Sequence, residues 1–368
     1  MSDDLQGVLV VALEQAVAAP YCTRLMAESG ARVIKLERPD GDFARAYDGV
    51  LDGDSAYFVW LNSGKESAVV DLATANDKEL LRSLLVKADV FIQNLRPGAV
   101  DKLGFSYEKV KAINPGIVMC SISGYGTKGS YSKMKAYDAL IQAESGLCSV
   151  TGPSGQPSKV GASIVDISTG LTAYGEILKA LFGKIRSGNG RHIELSLFEV
   201  LSEWLAVPLS YFDYGKKLLT GTGMDHGQIC PYGAYETLDG QIFIVIQNHT
   251  EWTWLCEKVL HRPDMVNGAL YKTNVLRMQN KESLRVEIES IFTTMTRQTL
   301  QAKLLEAGVA CGNINDLSDL STHPALLRKT VKSSGNQFSL VRRVGDVGDN
   351  AAVPDLGEHT EKIRKEFS

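Results

Sequence analysis

The sequence predicts an α/β protein, with a doubly wound, Rossmann-like large domain and a smaller α+β domain. Two patterns lead there. Apolar runs alternate with amphipathic stretches through the first third of the chain, and beyond residue 231 the pattern changes to a β-hairpin followed by three helices. GVLVVAL (Gly7–Leu13) is a continuous apolar run, as expected of a strand buried on both faces. Ala19–Gly30 puts Cys22, Leu25 and Met26 on one helical face and ends on a glycine. ARVIKLE (Ala31–Glu37) is the second strand; SAVVDL, a helix over Ala75–Lys87, ADVFIQN and GIVMCSIS continue the alternation. Ser168–Ile185, rich in Leu and Ala and followed by SGNG, reads as one long helix. In PYGAYETLDGQIFIVIQN two β-rich runs flank the turn Leu238-Asp239-Gly240, and helices are expected over Glu251–Leu260, Lys281–Thr293 and Thr296–Ala307. The expected layout is a large domain over 1–210 completed by 323–368, linkers at 211–231 and 313–322, and a small domain over 232–312.

Composition narrows the function classes. With 368 residues and 44% hydrophobic content, the chain can bury an ample core. A net charge of −4 and the lack of any long Lys/Arg run give no nucleic-acid footprint. No apolar stretch approaches the roughly 20 residues that span a bilayer. The opening MSDDLQGVLVVALEQ carries acids where a secretion signal would be basic, and six cysteines are scattered without a CxxC pair. A soluble cytoplasmic protein with reduced thiols is expected.

Several motifs lead away from chemistry. Gly124-Tyr125-Gly126-Thr127-Lys128-Gly129 matches GxGxxG after a strand, but a dinucleotide site needs a helix opening at the third glycine. The polar SYSKMKAYD follows instead, so a loop is expected. GTGMDHG (Gly221–Gly227) suits either close backbone approach to a ligand or a plain linker. Six histidines show no HxH or HxxxH spacing, so no metal is expected, and no GxSxG elbow is present.

Asp166 stands apart in GASIVDISTGLTAYGEILKAL, among Gly161, Ala162, Ser163, Ser168, Thr169 and Gly170. At the mouth of a helix a carboxylate can be an N-cap, stabilised by free N–H groups. Small neighbours also leave room for a bulky thioester beside a carboxylate nucleophile. Local sequence leaves both readings open.

The segment from Val8 to Arg45 resembles the opening of the class III CoA-transferases, the family of formyl-CoA and carnitine CoA-transferases with α-methylacyl-CoA racemase as a relative. The likeness continues in order through FVWLNSGKESAVVDL, ADVFIQNLRPGAVDKLGF, NPGIVMCSISGYG, KAYDALIQAESG, VGASIVDISTG, SGNGRHIELSLFE and the hairpin. The resemblance implies that Asp166 is the catalytic aspartate and that Arg38 holds the CoA nucleotide. It implies CoA contacts for Asn94, Leu95 (where the family has an aromatic) and Lys102, and a place beside the active site for Lys135 and Tyr137. Ala16, Val17 and Ala18 match the turn facing the thioester; Val17 stands where the formyl-CoA enzyme has glutamine, which disfavours formyl or oxalyl chemistry. Tyr47 matches an aromatic of the acyl pocket.

The resemblance also implies the chemistry: CoA passes between carboxylic acids through aspartyl anhydride and aspartyl-CoA intermediates, with acyl-CoA as substrate and no resident cofactor. GDFARAYDG and MDHGQICPYG look most like members acting on small dicarboxylates, with Arg45 or His226 as candidates for a distal carboxylate. Alternatives are a racemase and a non-catalytic CoA-binding protein. Tyr137 replaces the racemase histidine, and a phenol of pKa about 10 is a poor base at neutral pH. The family's interlocked ring dimer is the expected assembly.

Overall fold

The computed structural model describes residues 4–346, 348 and 351–367; residues 1–3, 347, 349–350 and 368 of the expected domain ranges lie outside them. Strands β1 (Leu9–Leu13), β2 (Arg32–Glu37), β3 (Glu66–Val69), β4 (Val90–Gln93), β5 (Val118–Ser123) and β6 (His192–Ser196) form one parallel sheet ordered β3-β2-β1-β4-β5-β6. The predicted α/β sheet is present. Its order reverses between β1 and β4, the crevice where open α/β sheets bind ligands. β6 was not expected: HIELS is polar and only partly buried at the sheet edge, so it lacks the apolar run that marks the other strands.

The continuous apolar runs follow from burial on both faces. Val10 and Ala12 of β1 enter one core with Val33, Val90, Ile92 and Val118. Val11 and Leu13 enter the other with Ile34, Phe91 and Met119. The first core is covered by helix α1 (Ala18–Glu28) and, beyond α2 (Ala56–Asn62), α3 (Ala75–Lys87) and α4 (Asp138–Glu144), by α5 (Ile164–Ser187). The opposite face takes Leu80, Leu81, Leu84 and Leu85 of α3 together with Ile363 and Phe367 from the end of the chain. The glycine stop at the end of α1 is real: Gly30 has φ +95°.

α5 starts at Ile164, four residues before the expected Ser168. Asp166 therefore lies inside the first helical turn, and GASIV is not a separate apolar run. The GxGxxG segment is a loop, as expected, for the next helix opens only at Asp138.

Two compact units can be distinguished. One contains the described residues up to Cys148, Lys159–Leu218 and those from Leu327 onward; the other contains Ser149–Ser158 and Leu219–Leu326. In the second, β7 (Tyr232–Thr237) and β8 (Gly240–Val245) form the expected hairpin, and β9 (Ala310–Asn313) adds an antiparallel third strand. The helices Lys281–Phe292 and Arg297–Ala307 lie close to their expected bounds, while the stretch read as Glu251–Leu260 comprises an α-helix, His249–Trp254, continuing into a π-helical turn, Leu255–Val259. Trp252, Ile242, Ile244, Phe292 and Leu300 fill its core.

The first unit depends on a close α1–α5 contact. A Cβ added at Gly170 would lie 2.5 Å from the Ala18 carbonyl oxygen and 3.0 Å from the Tyr21 Cβ. Gly170→Ala should therefore lower the urea unfolding free energy by about 1–3 kcal/mol, the usual cost of overpacking. An unchanged midpoint would show that the two helices separate freely.

Candidate active site

β1 ends in a turn held from three sides. Asn94, which follows β4, accepts from the Gln15 N–H at 3.0 Å and donates to the Gln15 carbonyl at 2.8 Å. Asp42 accepts from the Ala16 N–H at 3.1 Å. Lys35, fully buried, donates to the second Asp42 oxygen at 2.8 Å. Ala16 thereby sits at φ +62°, a left-handed conformation that alanine adopts only under constraint. Val17 follows as the N-cap of α1 and is buried.

Asp166 faces this turn across a cleft of about 470 Å³, lined by Val17, Tyr47, Tyr57, Tyr137, Lys159 and the small residues 161–163. The floor of small side chains gives the cleft its room. Tyr47 packs edge-on against Tyr57, with ring centroids 5.6 Å apart, and the Tyr57 hydroxyl lies 3.3 Å from Ser163 Oγ. Burial raises the Tyr47 hydroxyl to about 12, helped by Asp42 and Asp166, so Tyr47 is a neutral hydrogen-bonding wall at pH 7.

Asp166 is not the cap of its helix. Ser163 occupies the N-cap, and the Val165 and Asp166 N–H groups donate to Asp138 Oδ1 at 2.8 and 3.2 Å. The stabilisation by free N–H groups that the cap reading required is absent, because Asp138 has taken those donors. Among the described residues the Asp166 carboxylate accepts no hydrogen bond. Burial, and then the Asp138 charge, push it up to about 7.

The sequence-derived residues separate into groups. Val17, Tyr47 and Tyr137 line the cleft with Asp166, and Ala16 and Ala18 flank Val17. Arg38, Asn94 and Lys102 follow β2 and β4 along the C-terminal edge of the sheet, with Arg38 exposed and 3.5 Å from Asp40. Leu95 packs against the second core, and Lys135 is exposed. Arg45 is placed otherwise than the distal-carboxylate reading needs. It makes a bidentate pair with Glu37, both contacts at 2.8 Å, and lies 3.8 Å over the Phe58 ring. His226 belongs to the second unit, where it stacks on Tyr232. Lys159 is the cation among the lining residues.

Asp138, Asp48, Tyr57 and Lys159 were not singled out by the sequence. Asp138 is 27 and 28 positions from the N–H groups it caps, so no local spacing reports the contact. Its bond to Gln142 Nε2, at 2.7 Å and four residues along α4, was the only local clue. Among the described residues no cluster of His, Cys, Asp or Glu could hold a metal ion, and no helix is long and apolar enough to cross a membrane.

The model of CoA-transferase family III matches residues 5–360. The chain belongs to CoA-transferase family III. It is 32% identical to the mouse (Mus musculus) succinyl-CoA:glutarate CoA-transferase over 98% of this chain and 86% of that protein. It is 33% identical to the succinyl-CoA:mesaconate CoA-transferase of Haloarcula hispanica over 88% of this chain and 82% of that one. A CAIB/BAIF family protein from Brucella suis, 32% identical, superposes over 100% of both chains with a TM-score of 0.85. Family III membership makes the chain a CoA-transferase that works on CoA thioesters.

The raised Asp166 carboxyl has a thermodynamic consequence. Its folded pKa, about 7, exceeds the usual value of 3.8, so the folded state holds its proton longer and loses stability as pH rises through that window. Asp166→Asn should match wild type near pH 4 and gain on it up to pH 8, by a few kcal/mol at most. Urea melts at both pH values measure this. A difference independent of pH would show an ordinary, solvated carboxylate.

Proposed function

We propose that the protein transfers CoA from an acyl-CoA donor to a small dicarboxylic acid, with Asp166 as the covalent carrier. The observation that carries this is a carboxylate without hydrogen-bond partners in an open cleft at a CoA-transferase's sheet crevice. An Asp166 oxygen attacks the thioester carbonyl and expels CoA thiolate, leaving a mixed anhydride. The thiolate attacks the aspartyl carbonyl and releases the donor acid, giving aspartyl-CoA. The acceptor carboxylate then displaces the thiolate in a second anhydride. Thiolate attack on the acceptor carbonyl yields the new thioester and frees Asp166. Each step passes a tetrahedral oxyanion, and substrates filling the cleft would keep water from the anhydrides.

A dicarboxylate is supported by the relatives' substrates and by Lys159, a point charge at the rim suited to a distal carboxylate. Arg45 does not serve that role in this reading, since its donors are committed to Glu37. The family resemblance supports assigning Arg38, Asn94, Leu95, Lys102 and Lys135 to the CoA portion, and Arg38 and Asn94 directly follow β2 and β4 at the sheet edge where ligands bind.

Succinyl-CoA offered with a panel of mono- and dicarboxylic acids tests the activity. New acyl-CoA from dicarboxylates supports it, and Lys159→Met should raise KM for these acids alone. Deuterium uptake at the α-carbon would instead indicate a racemase; neither product would indicate a CoA-binding protein. Asp166→Ala should abolish transfer while CoA still binds. Hydroxylamine under turnover should convert Asp166 to a hydroxamate, adding about 15 mass units to its peptide. An unmodified peptide together with an active Asp166→Ala enzyme overturns the covalent mechanism.

We also propose a homodimer of the family's interlocked type. Helix Ala206–Asp213 buries none of its residues although it carries Val207, Leu209 and Phe212, and α5 exposes Leu171, Phe182 and Ile185. Apolar area of this extent marks an association surface. Light scattering at micromolar concentration should give twice the chain mass, and Leu209→Asp with Phe212→Asp should reduce it; a wild-type monomer overturns the proposal.

A further inference from the structure

The opening turn of α5 allows a full account of its donors. A helix begins with N–H groups that have no partner within the helix, and an acid in its first turn is normally stabilised by them. Here the Ile164 N–H goes to the Ala162 carbonyl at 2.8 Å, and the Ile167 N–H begins the helical ladder at Ser163, at 2.9 Å. The two between them, Val165 and Asp166, go to Asp138 Oδ1. None of these four remains for the Asp166 carboxylate.

We propose that Asp138 is a positioning residue that withholds the helix donors from Asp166, keeping its carboxylate unsolvated by the protein and hence strongly nucleophilic. A carboxylate that accepts several N–H bonds holds its charge in those bonds and gives it up reluctantly to a carbonyl carbon. Asp138 is suited to prevent this because it is fixed from its other side, where Oδ2 accepts from Gln142 Nε2 at 2.7 Å. Gln142 is in turn held by the Val160 N–H, which donates to its Oε1 at 2.8 Å. A rigid chain thus runs from the segment before α5 through α4 and back to the first turn of α5. The remaining polar and charged groups facing Asp166 are Tyr47 and Asp48 from one loop, Tyr57 from α2, Tyr137 beside Asp138, Lys159, and Ser163 at the N-cap. Only Lys159 is cationic, and it is exposed at the rim, so Asp138 is the charged group bound directly to Asp166's own backbone.

The inference rests on the covalent role of Asp166 and is tested by two variants of the full chain. Asp138→Asn keeps an acceptor for both N–H groups and removes the charge; Asp138→Ala frees the donors. The acid limb of kcat/KM should fall by about one pH unit in Asp138→Asn, and further in Asp138→Ala. The rate of hydroxamate formation at saturating succinyl-CoA and pH 8 should fall about tenfold or more in Asp138→Ala and much less in Asp138→Asn, with KM changed little in either. If Asp138→Ala does not fold, Asp138→Leu, which also frees the donors, is measured in its place. A donor-freeing variant with the wild-type limb and capture rate, differing only in melting temperature, makes Asp138 a structural cap and overturns the inference. Failure of the covalent mechanism is distinguishable, since it would leave wild-type Asp166 itself unlabelled.

Discussion

The site depends on a fully buried lysine. Lys35 lies between Glu14, at 3.6 Å, and Asp42, at 2.8 Å, and through Asp42 it holds the Ala16 N–H. Lys65 closes the group, 2.8 Å from Glu14 and bonded to Asn62 and the Pro20 carbonyl. With Arg45 on Glu37, three cations meet three carboxylates beneath the first turn of α1. Desolvating so many charges is costly, and an apolar filling of equal volume would often be as stable. Its return is geometric. Each charge has few acceptable positions, so the turn that forms one wall of the cleft has few as well. Burial and the neighbouring Lys35 bring Lys65 down to about 8 despite Glu14; Lys35 is also pushed down by burial, but Glu14 and Asp42 outweigh this and hold it above its ordinary value.

The two sides of the cleft use electrostatics in opposite ways. Beneath Val17 every carboxylate is paired: Glu37, though buried, is held at about 2 by Arg45, Lys35 and Ser67. Across the cleft Asp166 has neither a cation nor a donor, and it lies about five units higher. The two acids thus differ in kind: Glu37 is anchored by its partners, and Asp166 carries its charge without any. The difference comes from their partners and not from burial alone.

How much of this was legible in the sequence follows from the range of each interaction. Strands β1, β2, β4 and β5 were visible because both of their faces are buried, which writes an unbroken apolar run. β6 was not, since an edge position leaves HIELS half polar. Asp166 could be singled out by its small neighbours and by family likeness, but not its surroundings: Asp138, Asn94 and Asp42 act on residues 26 to 79 positions away. Arg45 was misleading for the same reason. Its place in GDFARAYDG suggested a partner for a distal carboxylate, whereas the chain turns it onto Glu37 and the Phe58 ring. Non-local pairing has no period, so no periodicity reports it.

The placing of Ile363 and Phe367 within the core beneath α3 bears on how the protein is made. The sheet is complete in sequence by Ser196 and α3 covers this face, yet the core there also needs the helix Thr360–Phe367, which follows the second unit along the chain. The sheet-bearing unit is thus discontinuous in sequence, and strict domain-by-domain folding from the N-terminus cannot finish it before a segment made after the second unit joins it.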